Sequence, residues 1–354
     1  MKKHNFSAGP SILNPEVIKK ASEAILDINN SGLSLIEISH RSSDFVAIMD
    51  EAQSLVKELL DVPEGYSVLF LQGGASAQFL AVAQNLMKVD GKAAYLDTGA
   101  WSAKALKEAK LFGDVEVVAS SKDKNHNYIP KGYTIPSDAN YLHLTSNNTI
   151  FGTQIKDFPS IDIPVVCDMS SDIFSRQLDF SQFDLIYAGA QKNLGPAGTV
   201  LVIVKDSILG KTNRNIPSML DYQIHASKDS MFNTPPVFAI YTSLLTLRWL
   251  KGLGGISVIE KMNEEKAALL YKEIDNNPHF KGVVAKEDRS LMNVTFTLTD
   301  ESEKETFDTL AKEAGLSGIN GHRSVGGYRA SIYNAMPMSS VQVLVDVMKK
   351  LEQN

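Results

Sequence analysis

Two patterns of apolar and polar residues alternate along the chain. Apolar residues at three- and four-residue spacing predict helices, and short runs that are apolar throughout predict strands buried on both faces. The predicted helices are "NPEVIKKASEAILDI", "SSDFVAIMDEAQSLVKELLDV", "ASAQFLAVAQNLM" and "AWSAKALKEAKLFG". The predicted strands are "YSVLFLQ", "KAAYLDTG", "VEVVAS", "NYLHLTS", "IPVVCDMSS", "FDLIYAGAQ" and "GTVLVIVK". This alternation favours an α/β fold with a mostly parallel sheet, of the seven-stranded type, flanked by helices.

The pattern changes in the last third of the chain. A helical segment covers about residues 237–274 and contains "GLGG", where we expect a break or a bend. The strand "LMNVTFTL", a helix from about Lys304 and the final helix "SSVQVLVDVMKKLEQ" follow it. We therefore predict two domains and an arm that packs with the second domain. They are a large domain over residues 16–250, a small C-terminal α+β domain over residues 251–354, and an N-terminal arm over residues 1–15.

Composition excludes several classes of protein. The chain of 354 residues has a formal net charge of -6, which argues against nucleic acid as the main partner because phosphate backbones bind basic faces. Its one cysteine, Cys167, rules out an intrachain disulfide and fits a reducing, cytoplasmic compartment. The start "MKKHNFSAGPSIL" lacks the apolar core of a signal peptide. No apolar run approaches the roughly 18 residues of a membrane span.

Common nucleotide and metal motifs are absent from the sequence. "GGASAQ" lacks the glycine spacing of the dinucleotide fingerprint, and "GKT" at 210–212 has Lys205 where a phosphate-binding loop needs its first glycine. No zinc-protease helix motif and no paired cysteines occur, so no metal site is predicted.

Four predicted strand ends carry side chains suited to binding one ligand. In open α/β sheets, ligands bind beyond the carboxyl ends of the strands. "LQGGASAQF" places helix N-terminal N–H groups there, which bind phosphate well. Asp168 ends one strand, Lys192 ends the next, and Trp101 begins a helix after another. Taken singly, each has a plainer interpretation: an ordinary turn, a cap on the next element, a lysine reaching solvent, and a core aromatic.

Together these features match the needs of pyridoxal phosphate. A confined lysine has a lowered pKa and can form a Schiff base. A buried carboxylate keeps the pyridine nitrogen protonated, which makes the ring an electron sink. An aromatic side chain stacks on the pyridine, and the helix N-terminus holds the phosphate. The sequence therefore predicts a pyridoxal phosphate site at Lys192, with Asp168 as its carboxylate.

Longer motifs carry a resemblance that runs nearly from end to end. They are "NFSAGP", "SHRS", "LQGGASAQF", "GAWS", "YAGAQKNLGPAG", "NTPPVFAIY" and "GHRSVGGYRASIYNAMP". In these motifs the chain resembles the phosphoserine aminotransferases, which are class V, fold-type-I pyridoxal-phosphate enzymes. The resemblance implies transamination between phosphoserine or 3-phosphohydroxypyruvate and 2-oxoglutarate or glutamate, in serine biosynthesis. It also implies formation of 4-phosphohydroxythreonine in pyridoxine biosynthesis.

The resemblance also assigns roles to individual residues. It makes Lys192 and Asp168 catalytic, with the cofactor covalently bound to Lys192. The implied cofactor-binding residues are Ala75, Ser76, Trp101, Thr149, Asp168, Gln191, Lys192, Asn233 and Thr234. The last two reach the other subunit's cofactor phosphate, which implies a homodimer. The implied substrate-anion residues are His40, Arg41, His322, Arg323 and Arg329. Ala75 and Ser76 stand where some relatives have Gly-Arg, which leaves more of the phosphate site to N–H groups and hydroxyls.

Other functions remain open at this stage. A class V aminotransferase of the alanine or serine:glyoxylate type would share Lys192 and Asp168 but would need no phosphate-binding cluster, so "GHR" with Arg329 discriminates against it. We expect "GHRSVGGYRAS" to lie on a loop between small-domain elements. Its basic cluster could instead be a solvated basic turn. A non-catalytic protein that binds pyridoxal phosphate is the alternative outside enzymes. A desulfurase is disfavoured because Cys167 lies within an apolar strand and not on a mobile loop.

Overall fold

The computed structural model describes residues 3–352. Gln353, where the last helix was predicted to end, and the first two residues of "MKKHNFSAGPSIL" lie outside the described residues. The helices are α1 Pro15–Leu26, α2 Ser43–Leu60, α3 Gly74–Leu86, α4 Ala100–Ala109, α5 Tyr222–Ala226, α6 Val237–Leu253, α7 Ile256–Asn276, α8 Lys304–Glu313 and α9 Met338–Glu352. The strands are β1 His4–Asn5, β2 Tyr66–Leu71, β3 Lys92–Asp97, β4 Asp114–Ser120, β5 Leu142–Thr145, β6 Val165–Asp168, β7 Leu185–Gly189, β8 Val200–Lys205, β9 Phe280–Gly282, β10 Asn293–Leu298, β11 Leu316–Ser317 and β12 Tyr328–Ser331.

Seven strands form the central sheet, in the order β2-β8-β7-β6-β5-β3-β4. β8 is antiparallel to both of its neighbours, and the other pairs are parallel. All residues of β5, β6 and β7 are buried, as expected for strands covered on both faces. The predicted fold class, an α/β fold with a mostly parallel sheet, is confirmed.

Helices cover both faces of this sheet. Successive residues of a strand point to opposite faces, so one strand contributes side chains to both cores. On β8, Leu201 and Ile203 join the core that contains α2 and α6. Val200, Val202 and Val204 join the opposite core, which contains α3 and α4. The sheet therefore presents its carboxyl edge between two packed layers, where the loops after the strands meet.

Local signals explain where the helices begin and end. Ser42 caps α2, and its hydroxyl accepts a hydrogen bond from the N–H of Phe45 at 3.4 Å. The break predicted at "GLGG" is confirmed: α6 ends and α7 begins around Gly254 and Gly255, whose φ angles of 112° and 80° favour glycine. Among residues 3–352, no helix is both long enough and apolar enough to cross a membrane.

A second, smaller sheet in the order β12-β10-β9 is antiparallel. It packs on a core formed with α7, α8 and α9, which also includes Phe6 from the N-terminal arm. β1 pairs in parallel with β11, which ties that arm to this part of the chain. α7 contributes Ile259 to the core of the large sheet and Leu270 to that of the small sheet. The domain boundary near residue 250 stays a prediction.

The structure corrects the prediction for "GHRSVGGYRAS". We expected a loop throughout, but Tyr328–Ser331 is a strand that pairs with β10, and Arg329 lies opposite Thr295. Tyr328 and Ala330 are buried in the core of the small sheet, which fixes this register. Arg329 is therefore held on a strand rather than on a loop.

Candidate active site

A cavity of about 500 Å³ lies where several strands of the large sheet end. Its walls come from the segments that follow β2, β5, β6 and β7, from the start of α4, from the N-terminal arm and from the region of β12. The predicted site residues in its lining are Ala75, Ser76, Trp101, Thr149, Asp168, Gln191, Lys192, His322 and Arg329. The fold thus brings residues that are far apart in the chain to one place.

Lys192 lies in the turn after β7, not at the end of the strand itself. β7 ends at Gly189, and the Ala190 carbonyl accepts hydrogen bonds from the N–H groups of Lys192 and Gly195. Lys192 is 9% exposed, and its Nζ donates to Thr149 Oγ1 at 2.8 Å. The same Nζ is 5.8 Å from the centroid of the Trp101 ring. The lysine therefore points into the cavity and not toward bulk solvent.

The surroundings of Lys192 make its amine easier to deprotonate. Burial lowers the pKa of Lys192 to about 8, since a desolvated ammonium loses its hydration. Asp168 and Asp172 oppose this change, and the charge of Arg329 adds to it. The neutral amine, which is the nucleophilic form, is consequently accessible near neutral pH.

Asp168 ends β6 as predicted and is 5% exposed. Burial raises the pKa of its carboxyl group, while the charge of Lys192 and hydrogen bonding by Ser170 lower it. The Ser170 N–H donates to Asp168 Oδ1 at 2.9 Å, which fixes the orientation of the carboxylate. Asp168 is thus an oriented, partly desolvated proton acceptor on the cavity wall.

The start of α3 provides the candidate phosphate site. Gly73 and Gly74 have φ angles of 86° and 62°, so the chain turns sharply from β2 into the helix. A Cβ on Gly73 would lie 2.5 Å from Ala77 Cβ, so this turn needs glycine. Ala75 and Ser76 then line the cavity in the first helical turn, where backbone N–H groups have no intrahelical partner. These groups and the Ser76 hydroxyl suit an anion.

Arg329 supplies the cationic side of the cavity. It is half-buried, and its Nη1 donates to the Thr149 carbonyl at 3.3 Å. Its Nε is buried and has no hydrogen-bond partner among residues 3–352. Burial lowers the pKa of Arg329, but an arginine remains charged. His322 also lines the cavity, and burial with nearby cations lowers its pKa.

Other predicted residues do not line this cavity in the single chain. They are His40, Arg41, Asn233, Thr234 and Arg323. Arg41 and Arg323 are exposed, so they reach the cavity only if their loops move or if a second subunit is present. The Thr234 carbonyl accepts a hydrogen bond from Gln72 Nε2 at 2.5 Å, which places it near the glycine turn before α3.

Sequence reasoning missed several lining residues. Gly9 lies so close to the lysine that a Cβ there would be 3.4 Å from Lys192 Cγ. Ser170 and Thr199 also line the cavity. The "SAGP" and "CDMSS" stretches contain two of these residues, but nothing local in the sequence distinguishes them from ordinary turn residues.

Comparison with known proteins agrees with this fold. The model of the family described as aminotransferase class-V matches residues 3–344. The chain therefore belongs to the class-V aminotransferases. Within that family the chain is similar over its full length to phosphoserine aminotransferases, and one from Flavobacterium johnsoniae is 69% identical over 99% of both chains.

Solved structures show the same relationship. The phosphoserine aminotransferase from Bacillus circulans subsp. alkalophilus superposes with a TM-score of 0.96, at 44% identity over 99% of each chain. The pyridoxal-phosphate-bound phosphoserine aminotransferase from Trichomonas vaginalis superposes with a TM-score of 0.94, at 36% identity. That match covers 98% of this chain and 100% of the other. The resemblance inferred from the sequence motifs is confirmed.

Proposed function

We propose that this chain is a pyridoxal-phosphate-dependent phosphoserine aminotransferase. It transfers the amino group between phosphoserine or 3-phosphohydroxypyruvate and 2-oxoglutarate or glutamate, in the cytoplasm and for serine biosynthesis. The observation that carries the proposal is the cavity itself, in which a buried lysine of lowered pKa lies near a buried carboxylate, an indole ring and an arginine. Formation of 4-phosphohydroxythreonine is a second reaction of the same chemical type.

The residues of the cavity fit pyridoxal phosphate. Its volume of about 500 Å³ is in the range of small-ligand sites. Trp101 Nε1 is buried and has no hydrogen-bond partner among residues 3–352, as expected for a donor that a ligand completes. A Cβ added to Gly74 would have no other atom within 4 Å, so there is open space beside the first turn of α3. A phosphate has room there.

Each residue of this set has a distinct proposed role. Ala75 and Ser76 hold the cofactor phosphate with Gln191, and Trp101 covers one face of the ring. Thr149 lies beside the ring hydroxyl, and Asp168 holds the proton on the pyridine nitrogen. Lys192 carries the cofactor covalently. When bound, the cofactor supplies an electron sink for the electrons released at the substrate Cα.

The chain's own groups then handle the proton and the anions. Lys192 Nζ would be the base that moves the proton at the substrate Cα. Arg329 binds the α-carboxylate, for which its planar fork is suited. His322 and Arg323, helped by His40 and Arg41, bind the distal phosphate or γ-carboxylate.

One comparison of substrates tests the proposed function. Amino transfer to 2-oxoglutarate is measured with phosphoserine, serine and alanine as donors. Phosphoserine should exceed both others in kcat/KM by roughly tenfold to a hundredfold, the worth of a charge-assisted hydrogen bond to the distal anion. Faster transfer from alanine or serine to glyoxylate would support the other class V activity instead. Cofactor binding without any transfer would support a non-catalytic protein.

Assembly gives a separate prediction. We propose a homodimer in which Asn233 and Thr234 complete the partner's cofactor phosphate site, because neither residue lines the cavity of its own chain. Dilution to monomers should therefore release cofactor and activity together. Sedimentation followed at the cofactor absorbance measures the assembly state and the bound cofactor, and an activity assay at the same dilutions measures turnover. An active, cofactor-loaded monomer would contradict the proposal, and Asn233→Ala should raise the protein concentration at which cofactor is lost.

A further inference from the structure

A buried polar network joins the strand that carries Arg329 to the turn that carries Lys192. After β12 the chain continues through Ile332, Tyr333 and Asn334, which are all buried. These three residues lie between the Lys192 turn and helix α7, and their polar groups are bonded on both sides. The network contains no group that lines the cavity, and none of the roles proposed above uses it.

Asn334 is the central member of this network. Its backbone N–H donates to Asn193 Oδ1 at 3.0 Å, and Asn193 directly follows Lys192 in the chain. Its Nδ2 donates to the Phe174 carbonyl at 2.8 Å. Its Oδ1 accepts from Nδ2 of Asn263 on α7 at 2.9 Å. Asn334 thus contacts the turn with the reacting lysine through its backbone N–H, and the segment after Asp168 and α7 through its side chain.

Lys266 fixes the same segment from α7. It is 1% exposed, and its Nζ donates to the carbonyls of Ile332 at 3.0 Å and Tyr333 at 2.8 Å. Both acceptors are neutral carbonyls, and burial lowers the pKa of Lys266 to about 7. A buried cation that is not paired with a carboxylate costs free energy, so Lys266 is poorly explained as a stabilising charge. Its distinctive effect is to hold two consecutive carbonyls in place.

We propose that Lys266 and Asn334 are positioning residues that hold the Arg329-bearing strand against the Lys192 turn. They keep the guanidinium that anchors the substrate carboxylate in register with the amine that moves the proton. This inference rests on the role proposed above for Arg329. Arg329 and Lys192 act on the same substrate, so a displacement at this joint moves the carboxylate anchor away from its binding position.

Binding of succinate to the cofactor-loaded protein tests the inference without turnover. Succinate carries two carboxylates but no amino or keto group, so calorimetry measures only its capture by the anion anchors. Lys266→Met keeps the length of the side chain and removes its donors. It should weaken succinate binding about tenfold and raise KM for phosphoserine by a similar factor, with a smaller change in kcat. The control is Lys261→Met, an exposed lysine on the same helix, which should change neither value.

A double-mutant cycle decides whether Lys266 acts through Arg329. In an Arg329→Ala background, Lys266→Met should weaken succinate binding no further. Equal weakening in both backgrounds, or unchanged binding in the single variant, would overturn the proposal. Asn334→Ala removes the bonds to Phe174 and Asn263 but keeps the N–H that donates to Asn193. It should give the same pattern, and it carries the test if Lys266→Met does not fold. Succinate binding does not depend on amino transfer. If Lys266 and Arg329 are coupled in succinate binding but the protein does not transfer the amino group of phosphoserine, the proposed function is refuted and the positioning role of Lys266 is not.

Discussion

Lys192→Ala is expected to abolish amino transfer and exchange of the glutamate Cα proton while leaving the fold intact. In the proposed site, the variant removes both the point of covalent attachment and the base that moves the proton. General acid–base catalysis alone contributes about 10²–10⁴-fold, so the loss should be at least of that order. The fold should persist because the side chain's hydrogen bond is to Thr149 in the cavity wall, and because loss of a buried amine removes a desolvation cost.

Two measurements check the Lys192 prediction. Borohydride reduction followed by peptide mapping locates the attached cofactor, and mass spectrometry in deuterated water follows the Cα proton. A control is Lys156→Ala, because desolvation of its amine also lowers the pKa of Lys156 to about 8, although this side chain is more exposed than Lys192 and lines a different cavity. The control should keep attachment and exchange. Cofactor attached to another lysine of the wild-type protein would refute the assignment.

The sequence was most informative for the large sheet and the residues at its carboxyl edge. β6 is apolar up to Asp168 and β7 is apolar throughout, so Asp168 and Lys192 stand out where those runs end. The prediction placed Lys192 at the strand end itself, whereas β7 ends at Gly189 and a short turn intervenes. An apolar run shows that a strand exists but defines its last residue poorly, because the turn residues Ala190 and Leu194 are also buried.

The parts that were missed depend on contacts between distant segments. β1 and β11 have two residues each, too few for any periodicity, and they exist because the N-terminal arm pairs with residues more than 300 positions away. β12 was predicted as loop because Gly326 and Gly327 precede its four residues. Lys266 lies in a polar helical stretch, where a lysine normally faces solvent. Its burial follows from how the segment after β12 packs on α7.

Arg329→Ala is expected to lower kcat/KM for phosphoserine and for serine by similar factors. Both substrates carry the α-carboxylate that Arg329 binds in the proposed site. Arg329 Nε has no hydrogen-bond partner among residues 3–352, so it is available to bind this carboxylate. A charge-assisted hydrogen bond is worth about 1.5–3 kcal/mol, which corresponds to roughly tenfold to a hundredfold in kcat/KM. β12 should keep its register because its ladder with β10 uses backbone groups.

Arg323→Ala is the matched comparison, because it removes a second arginine of the same cluster that is exposed and lies outside the cavity lining. It should penalise phosphoserine and leave the weak reaction of serine almost unchanged, since serine has no distal anion. Steady-state kinetics of the two variants with both substrates separate the two anchors. Equal losses for serine and phosphoserine in Arg323→Ala would show that the phosphate is bound elsewhere. A loss confined to phosphoserine in Arg329→Ala would instead make Arg329 the distal anchor, and the α-carboxylate would then need a different partner.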